Sequence, residues 1–211
     1  VTNLSHDHLD YHQTMEAYGQ AKLALFKSAS LEFVVLNTDD IFSQTIIDVL
    51  APTIKVFSFS RSVRQNPELS ERSLVISNEK LMSTGLSFDV TFEGRTVPVR
   101  SALFGAFNAD NIVATMAVLI AMGSTLEESA ARAQRLKSVA GRMQKIAKDL
   151  TTPTVIIDYA HTPDALKLAL QSLRAHCEGE IKLIFGCGGN RDVAKRPVMG
   201  AIAAEYADVV V

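Results

Sequence analysis

Cysteine is scarce in this chain. The two present, Cys177 and Cys187, form neither a Cys-x-x-Cys pair nor part of a paired framework. That excludes a disulfide-stapled secreted scaffold and points to a reducing compartment, read as the cytoplasm. An excess of positive charge is also missing: 21 Lys and Arg stand against 23 Asp and Glu, for a formal net charge of −2. Without a basic footprint, neither nucleic acid nor an anionic membrane is an expected partner, which leaves small molecules or proteins. The longest apolar stretch, around residues 112–122, is too short and interrupted to span a bilayer, and no signal-peptide pattern is visible. Internal repeats and low-complexity tracts are absent. So is the G-x-x-x-x-G-K-[ST] phosphate loop.

What is present is ample apolar material. With 47% hydrophobic and 21% charged among 211 residues, the chain can bury one large core or two modest ones. The patterning predicts a helix over 14–29 capped by Thr14, a strand over 33–37, a helix near 40–50 and a strand over 54–59. Short strands follow over 73–103, with a hairpin turn at Phe92-Glu93-Gly94-Arg95, then helices over 108–122 and 126–137. A composition break at residues 138–141 marks a domain boundary, giving units 1–140 and 141–211. Beyond it come a strand at 154–158, a helix at 162–176, a strand at 181–185, a helix at 198–206 and a strand at 208–211. The expected fold is α/β: a mainly parallel sheet with a β insert or sheet edge over 73–103, then the first part of a Rossmann-like α/β domain. Because it opens at Val1-Thr2-Asn3 and closes within a strand-like run, the chain is expected to be a piece of a longer protein.

The segment "SHDHLDYHQTMEAYGQAK" at residues 5–22 packs three histidines and three carboxylates ahead of a lysine. A zinc site of His6, His8 and His12 matches none of the standard spacings, and a solvated polar loop explains the run equally well. At 100° per residue, Met15, Tyr18, Leu25, Phe26 and Ala29 share a stripe from near the middle of which Lys22 projects. An inward ammonium must snorkel, find a carboxylate or lose its proton. A neutral amine can also capture CO₂ as a carbamate, which would make it a metal ligand.

Further motifs each carry two readings. In "GAFNADNIVATMAVLIAMG", Asn108 and Asn111 sit at one helix start, as caps or as ligand contacts. In "VAGRMQ", Arg142 is an interdomain surface charge or a phosphate contact. "TVIIDYAHTPDAL" ends a strand at Asp158 and opens a helix with Thr162, Pro163 and Asp164. Asp158 and His161 are therefore either loop hydrogen-bonding groups or site residues beyond a strand's carboxyl end. "LIFGCGGNRDVAKRP" fails the dinucleotide fingerprint, since Arg191 stands where the third glycine would be, but its guanidinium can grip a carboxylate.

Taken together, "TNLSHDHLDYHQTMEAYGQAK" and these later motifs closely resemble the Mur ligases, specifically the MurE type that adds the third residue of the peptidoglycan stem peptide. The resemblance covers essentially the whole chain, as the latter part of the family's central domain and the first part of its C-terminal domain. It implies that His8 binds Mg²⁺ and that Lys22, fourteen residues later, is N-carboxylated and shares the ion. It implies ATP contacts by Asn108, Asn111, Arg142, Asp158 and His161, with Asn111 favoured over Asn108. Arg191 would bind the incoming diamino acid. The implied activity is ATP-dependent amide-bond formation on UDP-N-acetylmuramoyl-L-alanyl-D-glutamate through an acyl phosphate, with meso-diaminopimelate favoured over L-lysine. His6 replaces the family's usual arginine, Gln144 its glutamate, Asn190 its aspartate and Ala194 its glycine, and His6, His12 and Gln144 receive no role. The phosphate loop, the UDP-holding domain and the rest of the amino-acid site would lie outside these residues, so residues 1–211 alone are expected to be inactive. Two rivals remain open: a sister ligase adding D-alanyl-D-alanine, and a non-catalytic metal- or nucleotide-binding module. Oligomeric state leaves no signature.

Overall fold

The structure, a computed structural model, describes residues 2–4, 9–61, 72–146, 153–187 and 195–211. It divides into two compact units, one of Val1–Asn78, Phe88–Val99 and Ala109–Ala133, the other of Glu79–Ser87, Arg100–Asn108 and Gln134–Val211. Neither unit is one uninterrupted stretch of chain. Among the described residues, no helix is long and apolar enough to cross a membrane.

The first unit opens with α1 (Leu9–His12) and α2 (Met15–Leu23). Thr14 caps α2 as its sequence predicts, its hydroxyl accepting from the Ala17 N–H at 3.1 Å. The helix expected to reach residue 29 instead ends at Leu23 and tightens into a 3₁₀ turn, Ala24–Lys27, before Ser28 becomes extended. Leu25 is consequently 67% exposed, and the inward positions are Gly19, Leu23 and Phe26. Gly19 permits close packing, since a Cβ there would lie 3.1 Å from the Phe42 ring. Leu23 and Phe26 join Val34, Leu36, Phe42 and Ile46 in one core.

Strands β1 (Phe33–Asn37), β2 (Lys55–Ser60), β3 (Ser73–Met82), β4 (Gly85–Phe92) and β5 (Arg95–Ser101) form a single sheet in that order, with α3 (Phe42–Ile47) between β1 and β2. β1 and β2 run parallel from Phe33↔Lys55 to Asn37↔Phe59, and β2 and β3 run parallel from Ser58↔Ser73. The expected parallel sheet is thus present. The strands predicted to be short are 10, 8 and 7 residues long and extend the same sheet at its edge, the second of the two expected arrangements. Two-residue connections join β3 to β4 and β4 to β5, which only antiparallel neighbours permit. At the second, Glu93 (φ 49°) and Gly94 (φ 74°) both take left-handed backbone, the type I′ geometry that matches strand twist. From Leu86 onward β4 alternates, with Leu86, Phe88, Val90 and Phe92 buried. Helix α4 (Phe107–Ala121) buries Ala109, Ile112, Val113, Met116 and Ala117, a 3.6-residue stripe. Helix α5 (Leu126–Ala133) starts on a reciprocal capping box between Thr125 and Glu128.

In the second unit, β6 (Gln144–Ile146) and β7 (Val155–Ile157) pair antiparallel, while β8 (Lys182–Leu183) and β9 (Val209–Val210) pair parallel. Helix α6 (Pro163–His176) has the predicted start, with Thr162 accepting from the Ala165 N–H and Pro163 opening the helix. With α7 (Lys195–Tyr206) it contributes Leu166, Leu170 and Met199 to a core shared with Ile181.

Asp208 ties this unit together: its carboxylate accepts from Arg174 Nη2 at 2.6 Å and from the Ile181 N–H at 2.7 Å. The Arg174 hydrogen bond, followed by the Ile181 amide, holds its pKa below the ordinary 3.8. A carboxyl whose folded pKa is depressed stabilises the fold above its unfolded pKa, and that stabilisation is lost as pH falls through the folded value. Asp208→Asn is therefore expected to lower the Tm at neutral pH and to flatten the decline of Tm below about pH 4. Thermal melts of both proteins across that range test this, and parallel curves would contradict it.

Candidate functional site

Lys22 lies in the last turn of α2 and is half-buried beside the inward positions. Its ammonium sits 4.8 Å above the Tyr18 ring, and His12 stacks with Tyr18 at 5.0 Å. So the lysine is placed at the edge of the buried stripe, not in its middle, because the helix ends before Leu25 and Phe26 can extend the expected face. His12, given no role by the sequence, helps frame the aromatic surface on which the amine rests. His8 lies outside the described residues, and among those described no group of three or more His, Cys, Asp or Glu side chains could hold a metal ion.

Helix α4 begins at Phe107, so Asn108 lies inside the first turn instead of at the predicted cap. The reason is the turn before it. Gly105 takes φ +92°, its carbonyl accepts from the Asn108 N–H at 2.9 Å, and the Asn108 amide donates to the Phe104 carbonyl at 2.6 Å. Asn111 is exposed one turn on. Between them, Asp110 receives a two-pronged hydrogen bond from Arg61 at 3.0 and 3.3 Å, while the Arg61 N–H donates to Asp39 at 2.6 Å. This fixes the first turn of α4 against the end of β2.

The second unit brings together three of the sequence-predicted residues. Asp158 follows β7; one carboxylate oxygen accepts from the Met143 N–H and the other from the Ala160 N–H, both at 2.9 Å. This tether fixes the 141–144 turn, in which Gln144 Oε1 also accepts from the Gly141 N–H at 2.9 Å. Arg142 is thereby held with its guanidinium 4.6 Å above the Tyr159 ring. Tyr159 in turn packs edge-on against His161 at 5.0 Å, and His161 Nδ1 lies 3.0 Å from the Tyr159 carbonyl. Lys195, at the start of α7, donates to the His161 carbonyl at 3.1 Å. The result is an exposed basic and aromatic cluster just beyond the carboxyl end of β7, whose described partner β6 runs antiparallel to it. Tyr159, Lys195 and Gln144 are the residues sequence reasoning missed. Tyr159 stands inside the quoted Asp-Tyr-Ala-His-Thr-Pro segment and was the most accessible of the three signals. Arg191 lies outside the described residues. In the first unit, a cleft of about 380 Å³ lined by Phe57, Arg72, Phe92, Arg95 and Thr125 contains none of the predicted site residues.

This α/β arrangement has counterparts among known proteins. The model of the Mur ligase middle domain matches residues 1–119, and that of the Mur ligase glutamate ligase domain matches residues 141–211. The chain belongs to the Mur ligase family. It is 39% identical over 210 residues to the UDP-N-acetylmuramoyl-L-alanyl-D-glutamate–2,6-diaminopimelate ligase of Xanthomonas oryzae pv. oryzae, a match that covers all of this chain and 41% of that protein. With the ligase of the same name from Haemophilus influenzae it is 41% identical over 218 residues, covering all of this chain and 42% of that one. A solved diaminopimelate ligase structure superposes with a TM-score of 0.76 at 34% identity, over 99% of this chain and 42% of that one. The fold is shared with UDP-N-acetylmuramate-alanine ligase MurC of Thermotoga maritima, at TM-score 0.74 and 22% identity over 99% of this chain and 44% of that one. The chain thus spans about two fifths of the length of the curated relatives it matches.

Proposed function

We propose that the full-length protein carrying this chain is an ATP-dependent ligase. On this reading it joins a diamino acid, meso-diaminopimelate, to the D-glutamate carboxylate of UDP-N-acetylmuramoyl-L-alanyl-D-glutamate. The D-glutamate carboxylate attacks the γ-phosphorus of ATP and ADP leaves, giving an acyl phosphate. The amino group then attacks the acyl carbon, a proton is lost and phosphate departs, leaving the amide. Catalysis of this type rests on positioning and charge compensation more than on covalent chemistry.

The observation that carries the reading is the cluster at the end of β7, where Asp158 fixes the turn that holds Arg142 over Tyr159 beside His161. Arg142 would meet the ATP phosphates, Asp158 and His161 would shape the nucleotide side, and Asn108 and Asn111 would face the adenine. Arg191 would take the amino acid's carboxylate. Lys22 as an ammonium offers only donors and cannot ligate a cation, so it fits Mg²⁺ only as a carbamate, whose hard oxygens suit that ion. His8 and the carbamate would then hold Mg²⁺, which supplies charge compensation for the phosphates when bound.

The test is phosphate release by the full-length protein with ATP and the UDP-muramoyl dipeptide, offered meso-diaminopimelate, L-lysine or D-alanyl-D-alanine in turn. Release is expected with meso-diaminopimelate. Turnover only with D-alanyl-D-alanine, or none with any acceptor, would refute the assignment.

A further inference from the structure

His176 closes α6 and is 5% exposed, a polar ring shut inside the second unit. Both of its nitrogens are engaged. Nδ1 lies 2.7 Å from the Met82 carbonyl oxygen, and the Gly105 N–H donates to Nε2 at 2.8 Å. A carbonyl can only accept and an amide N–H can only donate, so the ring is neutral, with its proton on Nδ1 and its lone pair on Nε2. Phe104 packs against the imidazole with centroids 4.6 Å apart. Over the same phenyl ring, at 5.3 Å, lies the ammonium of Lys145, which donates to the Ser83 carbonyl at 3.2 Å.

The Phe104-Gly105 turn that His176 grips is the one that sets Asn108. On its other side, the Gly105 carbonyl accepts the Asn108 N–H and the Phe104 carbonyl accepts the Asn108 side-chain amide. The turn has no freedom to add a side chain: Gly105 is at φ +92°, and a Cβ there would stand 2.5 Å from the Phe107 ring. An unbroken chain of hydrogen bonds therefore runs from the buried imidazole to the first turn of α4.

We propose that His176 is a positioning residue of the nucleotide site, holding the 104–105 turn so that Asn108 and the start of α4 keep one register toward the adenine. This rests on the reading of Asn108 and Asn111 as nucleotide contacts. His176→Phe removes both hydrogen bonds and leaves the buried Gly105 N–H unsatisfied, whereas His176→Gln keeps an acceptor for it. In the full-length ligase, His176→Phe is expected to raise the KM for ATP about tenfold with the KM for the diamino acid unchanged, and His176→Gln to restore most of the loss. Asn111→Ala, measured alongside, should raise the KM for ATP as well. If Asn111→Ala raises it and neither His176 variant does, the positioning role is overturned and the nucleotide reading stands. If neither Asn111→Ala nor His176→Phe moves it, both are overturned. Should His176→Phe fail to fold, the tautomer decides: ¹⁵N-histidine spectra of the wild type are expected to show His176 protonated at Nδ1, and protonation at Nε2 would overturn the proposal.

Discussion

On the proposed function, Lys22→Ala in the full-length protein is expected to lower kcat by roughly 10³-fold, the scale at which losing a preorganised charge-stabilising group acts. The fold should survive, because Lys22 stands beside the core positions Gly19, Leu23 and Phe26 and is only half-buried. Lys22→Arg is the informative companion. If the side chain worked as a cation against phosphate, arginine would replace it well and keep activity. If it works as a carbamate, arginine cannot form one, and activity falls as far as with alanine. The 4.8 Å contact between the ammonium and Tyr18 sharpens the distinction, since a ring face attracts a cation and repels an anion. Carbamylation must therefore swing the group off Tyr18. Wild-type activity is expected to drop when CO₂ and bicarbonate are stripped and to return when bicarbonate is added, with no such response in either variant. A Lys22→Arg protein with near-normal turnover would refute the carbamate.

The features legible in the sequence were those whose determinants lie within a few residues. Thr162-Pro163-Asp164 specifies its own helix start, Glu93-Gly94 its own hairpin turn, and Thr14 its own cap. The strands β1 and β2 followed from apolar runs flanked by helical pattern, and their parallel pairing from the helix between them. What could not be read depends on partners distant in sequence. Helix α2 stops at Leu23 although Leu25 continues its periodicity, and α4 starts before Asn108 because Gly105 turns the chain early. Asp158 was legible as a residue beyond a strand. Its bond to the Met143 N–H, which places Arg142, joins residues fifteen apart and has no local signature. For Asp158 and His161 the structural readings, loop hydrogen bonding and a satisfied turn histidine, are both realised in the hydrogen bonds observed. A ligand role would be added to these, not substituted for them. His176, whose partners are 71 and 94 residues away, had no local signature at all.

Gly85→Ala is expected to be among the most destabilising single-methyl changes in the chain. A Cβ at this position would stand 2.0 Å from the Ser101 carbonyl oxygen and 2.8 Å from Ala102 Cα, on a backbone with φ +134°. The obstacles are main-chain atoms and a Cβ has no rotamer with which to avoid them, so β4 and the end of β5 must separate. Left-handed strain and overpacking each cost about 1–3 kcal/mol, for a total of about 4 kcal/mol. For a protein of this size that corresponds to a fall in Tm of about 10 °C. Two controls separate the causes. Gly94→Ala has φ +74° but open space, so it should show backbone strain alone, while Gly179→Ala has neither and should stay within about 0.5 kcal/mol of the wild type. Thermal denaturation of the three variants tests the order, and a Gly85→Ala protein no less stable than Gly94→Ala would show that the strands yield without cost. The consequence should reach the proposed nucleotide side too. Ser101 Oγ accepts from the Leu103 N–H at 3.2 Å just before the Phe104-Gly105 turn, so prying Ser101 away from Gly85 also loosens the segment that sets Asn108.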